Sequence, residues 1–290
     1  MKNCCIKVMS IVAAVFVFSI AFATEAQAGK IKTFVSIVPQ KYFVEKIGGD
    51  LVDVSVMVLP GNSPATYEPR PKQMVALSRA RLYYAIGVPF EKVWLEKICA
   101  PNIKMLLVHT EEGIEKKPMK ADKPHGIKDP HVWLSPPLVM VQARNILRGL
   151  LKVDPANSSV YEANYKKFIM ELVDLDAELR GIFLGKERAR FMVFHPAWGY
   201  FARAYDLEMV PIESEGKDPK PADLQRLIGK AKEYGIDVVF VQPEFSSKSA
   251  GIIAREIGGQ VVFANPLALD WARNLKEVAA RFKAALRQYH

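Results

Sequence analysis

The feature that most constrains the fold is a long apolar repeat in the middle of the chain. Residues 158–183 place apolar side chains at spacings of three, four and seven: Tyr161, Tyr165, Phe168, Ile169, Leu172, Leu175, Leu179 and Ile182. This period predicts one amphipathic helix of roughly 25 residues, about 38 Å long. Such a helix is a rigid connector, so we expect it to hold the segments on its two sides at a nearly fixed angle.

Both flanking segments alternate short β-branched runs with helix-period stretches. On the N-terminal side the predicted strands are Thr33–Val38, Val54–Leu59, Leu82–Ile86 and Met105–Val108, and the predicted helices are Lys41–Ile47, Pro71–Ala80 and Val93–Ile98. On the C-terminal side the strands are Arg190–Phe194, Met209–Ile212, Val238–Val241 and Val261–Ala264, and the helices are Pro221–Tyr234, Ser249–Ile257 and Trp271–Tyr289. Alternation of this kind predicts parallel sheets. The expected fold is two α/β lobes joined by one long rigid helix, with a ligand cleft between the lobes.

The N-terminus has the layout of a cleavable signal peptide. An apolar run at 8–22 follows two lysines, and Ala26-Gln27-Ala28 is a small-x-small cleavage site. The run is shorter than the ~20 residues of a membrane span. Cys4 and Cys5 precede it, so they do not mark a lipoprotein. We expect residues 1–28 to be removed and the mature protein to be periplasmic.

The mature chain then divides into three parts. We expect an N-terminal α/β lobe at 29–157, the linking helix at 158–185 and a C-terminal α/β lobe at 186–290. Only Cys99 remains after cleavage, so an internal disulfide is excluded and a hydrophobic core must provide the stability. The formal charge of +9 comes from lysines and arginines spread among acidic residues on predicted helices. We therefore expect no nucleic-acid partner. We also expect the protein to be a monomer.

Two histidines stand in positions that suit a ligand. His131 lies between an exposed Lys-rich loop and a helix, and His195 follows the predicted strand Arg190–Phe194. Ligands of open α/β sheets usually lie beyond the carboxyl ends of the strands. Each lobe supplies one imidazole, and neutral imidazole is a common ligand of zinc and its neighbours. A structural role for either histidine stays open at this point.

Four segments, in order and spacing, resemble the metal-binding substrate-binding proteins of zinc and manganese ABC importers, the cluster with a rigid linking helix. They are Pro60–Pro69 (PGNSPATYEP), Asp129–Trp133 (DPHVW), Phe194–Tyr200 (FHPAWGY) and Val262–Leu267 (VFANPL). The resemblance covers nearly all of residues 31–289. It implies a periplasmic solute-binding protein that captures zinc or manganese between its lobes and delivers it to an ABC permease, with no enzymatic activity.

The ligand set implied by the resemblance is incomplete in this chain. His131 and His195 match the family's second and third ligands, but Ala65 stands where the first histidine is expected and Asn265 where a carboxylate is expected. An amide oxygen is a weak, neutral donor for zinc. A divalent ion would keep its full charge among these groups, so a compensating anion is needed. The candidates that follow strand ends are Glu213, Glu215 and Glu244.

Three alternatives remain open. The cleft could bind a non-metal solute or a chelated metal, and Trp133, Trp198, Tyr67 and Tyr200 could then shape an organic pocket instead of only packing. Two histidines, an open coordination position and a nearby glutamate could also form a metal-dependent hydrolase. Finally, His125 could reach the site from its Lys-rich loop.

Overall fold

The computed structural model describes residues 29–119, 127–213, 216–244 and 248–286. The predicted signal peptide at 1–28 lies outside the described residues, and so do His125 and Glu215. Among the residues described, no helix combines the length and apolar character needed to cross a membrane.

The N-terminal lobe is a parallel sheet flanked by helices. Its strands are β1 (Ile31–Val35), β2 (Val52–Val56), β3 (Leu82–Ala85) and β4 (Leu106–His109), and its helices are α1 (Val38–Gly48), α2 (Pro71–Leu77), α3 (Pro89–Cys99) and α4 (Pro136–Val153). The strand order is β2-β1-β3-β4, and every pairing is parallel. Each of these helices has a proline in its first turn, where the missing N–H costs nothing and the fixed φ suits the helix.

Helix α5 (Ser158–Phe183) is the long connector expected from the apolar repeat. It packs against α1 and α4 of the first lobe. Its buried stripe includes Phe168, whose ring centroid lies 6.1 Å from that of Phe43 in α1. At its other end Phe183 stacks on Tyr205 of the second lobe, with centroids 5.8 Å apart. The core is therefore continuous along the connector, as a rigid joint requires.

The C-terminal lobe repeats the plan of the first. Its strands are β5 (Arg190–Val193), β6 (Glu208–Pro211), β7 (Val238–Val241) and β8 (Gln260–Phe263), and its helices are α6 (Gly199–Ala204), α7 (Pro221–Glu233), α8 (Lys248–Glu256) and α9 (Trp271–Ala285). The order β6-β5-β7-β8 is again all parallel. The fold prediction is thus confirmed: two parallel α/β lobes are joined by one long helix.

The strand order reverses between β1 and β3 in one lobe and between β5 and β7 in the other. Such switch points open a crevice at the carboxyl ends of the strands, and ligands of α/β proteins bind there. The two crevices face each other in this molecule, since loops from both sheets line one cavity. The fold therefore fixes the position of the cleft before any side chain is considered.

Hydrogen bonds across the interface pin the lobes together beside this cleft. The buried indole of Trp133 donates to the Pro266 carbonyl oxygen at 2.8 Å, and Trp271 donates to the Trp133 carbonyl oxygen at 2.7 Å. The Tyr200 hydroxyl donates to the Asp129 carbonyl oxygen at 3.1 Å. The four aromatic residues noted in the sequence thus have packing roles, and Trp133 also lines the cavity.

Two of the predicted strands differ from the structure by more than one residue at a boundary. The strand expected at Thr33–Val38 ends at Val35, because α1 begins at Val38 with Pro39 in its first turn. The strand expected at Val54–Leu59 starts two residues earlier, where Val52 pairs with Ile31. Hydropathy locates a strand, but the pairing partner sets its ends.

Candidate metal centre

Two histidines, one from each lobe, meet where the two crevices face each other. His131 lies between β4 and α4, and His195 is the second residue after β5. Their Nε2 atoms are 3.3 Å apart, and their ring centroids are 5.2 Å apart with an interplanar angle of 74°. The structure therefore brings together the two side chains that the sequence singled out.

Asp129 orients the imidazole ring of His131 through the Nδ1 atom of that ring. Its Oδ1 lies 2.8 Å from His131 Nδ1 and also accepts the His131 backbone N–H at 3.0 Å. Its Oδ2 lies 3.6 Å from an Arg203 guanidinium nitrogen. Burial lowers the pKa of His131, and the hydrogen bond that its ring donates to Asp129 opposes that shift only in part. A buried ring with a lowered pKa is neutral at pH 7, which is the form that binds metals.

Glu213 holds the ring of His195 in the same way. This residue follows β6, and its Oε1 lies 2.6 Å from His195 Nδ1. The Glu213 side chain is only 3% exposed, so water does not screen the contact. The candidate ligand Glu213 therefore stands behind a histidine, on the side of the ring away from His131.

The two carboxylates determine which ring nitrogens face the cleft. A carboxylate beside Nδ1 accepts a proton from that nitrogen, so it fixes the tautomer with hydrogen on Nδ1. In this tautomer Nε2 carries a lone pair. His131 and His195 therefore present two electron-pair donors to each other at 3.3 Å. A cation between the rings would accept both lone pairs, and two metal–nitrogen bonds would replace the repulsion between them.

A cavity of about 220 Å³ adjoins the histidine pair. Its walls come from both lobes and are mostly apolar, with Pro64, Ala65, Val88, Trp133, Pro266 and Leu267 among the lining residues. Charged groups that also line it are the exposed side chains of Lys92 and Lys128 and the carboxylates of Glu213 and Glu244. The cavity is much larger than the space a single metal ion occupies.

The loop after β3 shapes one wall of this cavity. Gly87 adopts φ +80°, a conformation that favours glycine, and its N–H donates to the buried Glu91 carboxylate at 2.7 Å. Glu91 also accepts the Ile86 N–H at 2.9 Å, which ties the loop to the start of α3. The Pro64 carbonyl oxygen accepts the Phe90 N–H at 2.8 Å, so the neighbouring Ala65 is held at the cavity wall.

Glu244 lies three residues beyond β7, on the other side of the switch point from His195. It lines the cavity and is partly buried, and burial raises the pKa of its carboxyl group. The neighbouring His195 acts in the opposite direction on that pKa. Gln242 in the same loop donates to the His195 carbonyl oxygen at 3.3 Å. The structure therefore places a carboxylate in the same cavity as the two histidines.

Asn265 is not among the residues that line the cavity. Its side-chain oxygen accepts the Leu267 N–H at 2.8 Å, and its backbone oxygen accepts a hydrogen bond from Asn274 at 2.7 Å. The Asn265 amide oxygen therefore faces the backbone of Leu267, two residues later in the chain. Short polar side chains commonly form such hydrogen bonds in turns. We therefore leave Asn265 out of the ligand set proposed below.

Sequence reasoning missed the role of Asp129 and the cavity lysines. The spacing Asp129-Pro130-His131 was visible, and a carboxylate two residues before a ligand histidine is a signal for an orienting group. Within the described residues, no group of three or more His, Cys, Asp or Glu side chains is arranged to hold a metal ion. The preformed donors are thus the two imidazoles.

Comparison with known proteins assigns the chain to a family. The family model described as "ZnuA: Zinc-uptake complex component A periplasmic" matches residues 34–285. This chain belongs to the ZnuA family. The high-affinity zinc uptake system protein ZnuA of Bacillus subtilis (strain 168) is 30% identical over 259 residues, which is 84% of this chain and 81% of the relative.

Solved structures of ZnuA have the same architecture. A crystal structure of ZnuA matches with a TM-score of 0.84 and 47% identity over 88% of this chain and 99% of that chain. A zinc-bound ZnuA deletion mutant matches with a TM-score of 0.85 and 46% identity, covering 90% of this chain and 100% of the other. These matches confirm the resemblance inferred from the four motifs, including the rigid-helix fold. In this chain Ala65 and Asn265 stand at the two motif positions where the resemblance led us to expect a histidine and a carboxylate.

Proposed function

We propose that this chain captures zinc between its lobes and that His131 and His195 are the ligands. The observation that carries the proposal is the separation of their Nε2 atoms, which is 3.3 Å. Zn–N bonds of about 2.0–2.1 Å at a tetrahedral angle put two nitrogens about 3.3–3.4 Å apart. The imidazoles are therefore already spaced as a tetrahedral zinc ion would space them.

Charge supports a divalent cation at this position. Asp129 and Glu213 each place a buried carboxylate against one imidazole, and together they can offset the charge of the ion. Carboxylate–histidine pairs of this kind raise the basicity of the ligand nitrogen and fix its direction. The compensating anions that the sequence called for thus include Glu213, acting through His195 instead of binding the metal.

Glu244 is the third protein ligand in this proposal. Its carboxylate lines the same cavity as the two imidazoles, and it is the carboxylate in that cavity that does not hold a histidine ring by its Nδ1. Imidazole nitrogens favour zinc over manganese, which prefers an all-oxygen shell. Zinc is therefore the proposed cargo, and manganese is the weaker competitor.

The test is metal binding by variants that keep the fold. Calorimetry with zinc should give one ion per wild-type chain and no binding in the double variant His131→Ala/His195→Ala. His109→Ala is the matched control, because His109 is an exposed residue at the end of β4 and does not line the cavity. Glu244→Gln should weaken zinc by about tenfold, the lower end of the range for metal-site groups. Zinc binding unchanged in the double variant would refute the proposal.

The cellular role follows from the family. We propose that the protein is periplasmic, exported by a cleaved signal peptide without lipidation, and that it delivers zinc as a monomer to an ABC permease. We further propose that it has no catalytic activity, since the family is described as an uptake component. Zinc-dependent growth of a deletion strain, restored by the wild-type gene but not by the double histidine variant, tests this role.

A further inference from the structure

The proposed zinc site leaves coordination positions that the protein does not fill. Two imidazoles are preformed, and Glu244 adds at most a third donor of the usual four. Ala65 lines the cavity at the point where the sequence motif led us to expect a further histidine. The metal would therefore face an open cavity instead of a closed set of side chains.

The size and chemistry of that cavity suit a small organic group. Its volume of about 220 Å³ is below the range of about 300–1,000 Å³ typical for drug-sized ligands but ample for a molecule of amino-acid size. The walls include Val88, Trp133 and Leu267, which offer apolar surface. Burying the carbon skeleton of an organic group against these apolar walls is more favourable than leaving them hydrated.

The charges around the cavity favour an anion. Lys92 and Lys128 line it with exposed ammonium groups, while Glu213 and Glu244 partly offset the charge of the divalent ion itself. A carboxylate bound to the metal would supply a further negative charge and would lie in the same cavity as the side chains of Lys92 and Lys128.

We propose that the cleft binds zinc together with a small organic carboxylate, which coordinates the metal and places its carbon skeleton in the apolar cavity beside Ala65. This inference rests on the proposed function and specifies the chemical form in which the zinc is bound. An α-amino acid fits the class, since it carries a carboxylate donor, an adjacent amine donor and a side chain of suitable size.

Cobalt-substituted protein tests the proposal, because the visible spectrum of Co²⁺ reports the ligands around it. L-Phenylalanine added to the cobalt-loaded wild type should change the spectrum saturably and bind at least about tenfold tighter than acetate, which has the same carboxylate but almost no apolar surface. Ala65→Leu, which fills the cavity, should bind cobalt but lose the response to L-phenylalanine. Ala65→His, which supplies a protein ligand, should lose it too.

The outcomes separate this inference from the proposed function. A cobalt spectrum that does not respond to either acid would overturn the inference while leaving the zinc site intact. An equal response of wild type and Ala65→Leu would also overturn it, since the acid would then bind outside the cavity. No cobalt absorption before any acid is added would overturn the metal site and the inference together.

Discussion

Removing the charge of Glu213 while keeping its shape isolates the contribution of the carboxylate behind His195. The substitution Glu213→Gln keeps an oxygen within reach of Nδ1, so the imidazole tautomer can persist. It removes a full negative charge from a side chain that is only 3% exposed and lies 2.6 Å from the ring. The variant should therefore bind zinc more weakly without losing the site.

The size of the loss can be bounded from the geometry. A metal on Nε2 of His195 would lie about 6 Å from the Glu213 oxygen, and at an effective dielectric constant of about 20 the attraction of one charge to a divalent ion is about 5.5 kcal/mol. Substitution of groups that orient metal ligands usually costs about tenfold to a hundredfold in affinity, which is about 1.4–2.7 kcal/mol. We expect Glu213→Gln to fall within that range.

Competition against a chromophoric zinc chelator at pH 7.4 measures the change. The matched control is Glu256→Gln, which removes the same charge from an exposed position on α8 of the same lobe. The control should bind zinc as the wild type does. A Glu213→Gln affinity within twofold of the wild type would show that the carboxylate does not act on the metal through His195.

Three further predictions concern the support of the site. A Cβ at Gly199 would come 2.8 Å from Asp129 Oδ2, so Gly199→Ala should displace that carboxylate and weaken zinc by about tenfold, as calorimetry would show. Trp133→Phe removes the donor to Pro266 and should lower the unfolding free energy by about 1 kcal/mol in urea titrations, and an unchanged value would contradict the interlobe role. In the apoprotein, the His131 ring should titrate below about pH 6.5 by NMR. Because the unfolded chain then binds a proton more readily, stability should fall as pH drops below that value, and His131→Gln should reduce the loss.

The architecture was predictable because its signals are strong and local. The apolar period over 158–183 predicted a helix that the structure places at Ser158–Phe183. The predicted strand Val238–Val241 has the same bounds in the structure, because a short buried run in a central strand leaves little ambiguity. The boundaries of strands such as Thr33–Val38 were misplaced. Sheet pairing and the proline in the first turn of the next helix determine where such a strand begins and ends.

The site was predictable in part. Motif spacing identified His131 and His195, but only the fold shows that their Nε2 atoms converge. Glu213 was expected as a possible ligand and instead stands behind a histidine, a distinction that depends on which ring nitrogen it faces. Asn265 was a candidate ligand in the sequence, but its amide oxygen accepts the Leu267 N–H within a local turn. Hydrogen bonds between near neighbours of this kind compete with ligand binding and leave no trace in composition.

The most direct test of the central claim is X-ray absorption spectroscopy at the zinc edge of protein loaded with one equivalent of metal. The account predicts two imidazole nitrogens at about 2.0–2.1 Å, with oxygen donors completing the shell. His131→Ala and His195→Ala should each remove one imidazole from the spectrum. A zinc shell with the same number of imidazoles in either variant would place the ion elsewhere and contradict the account.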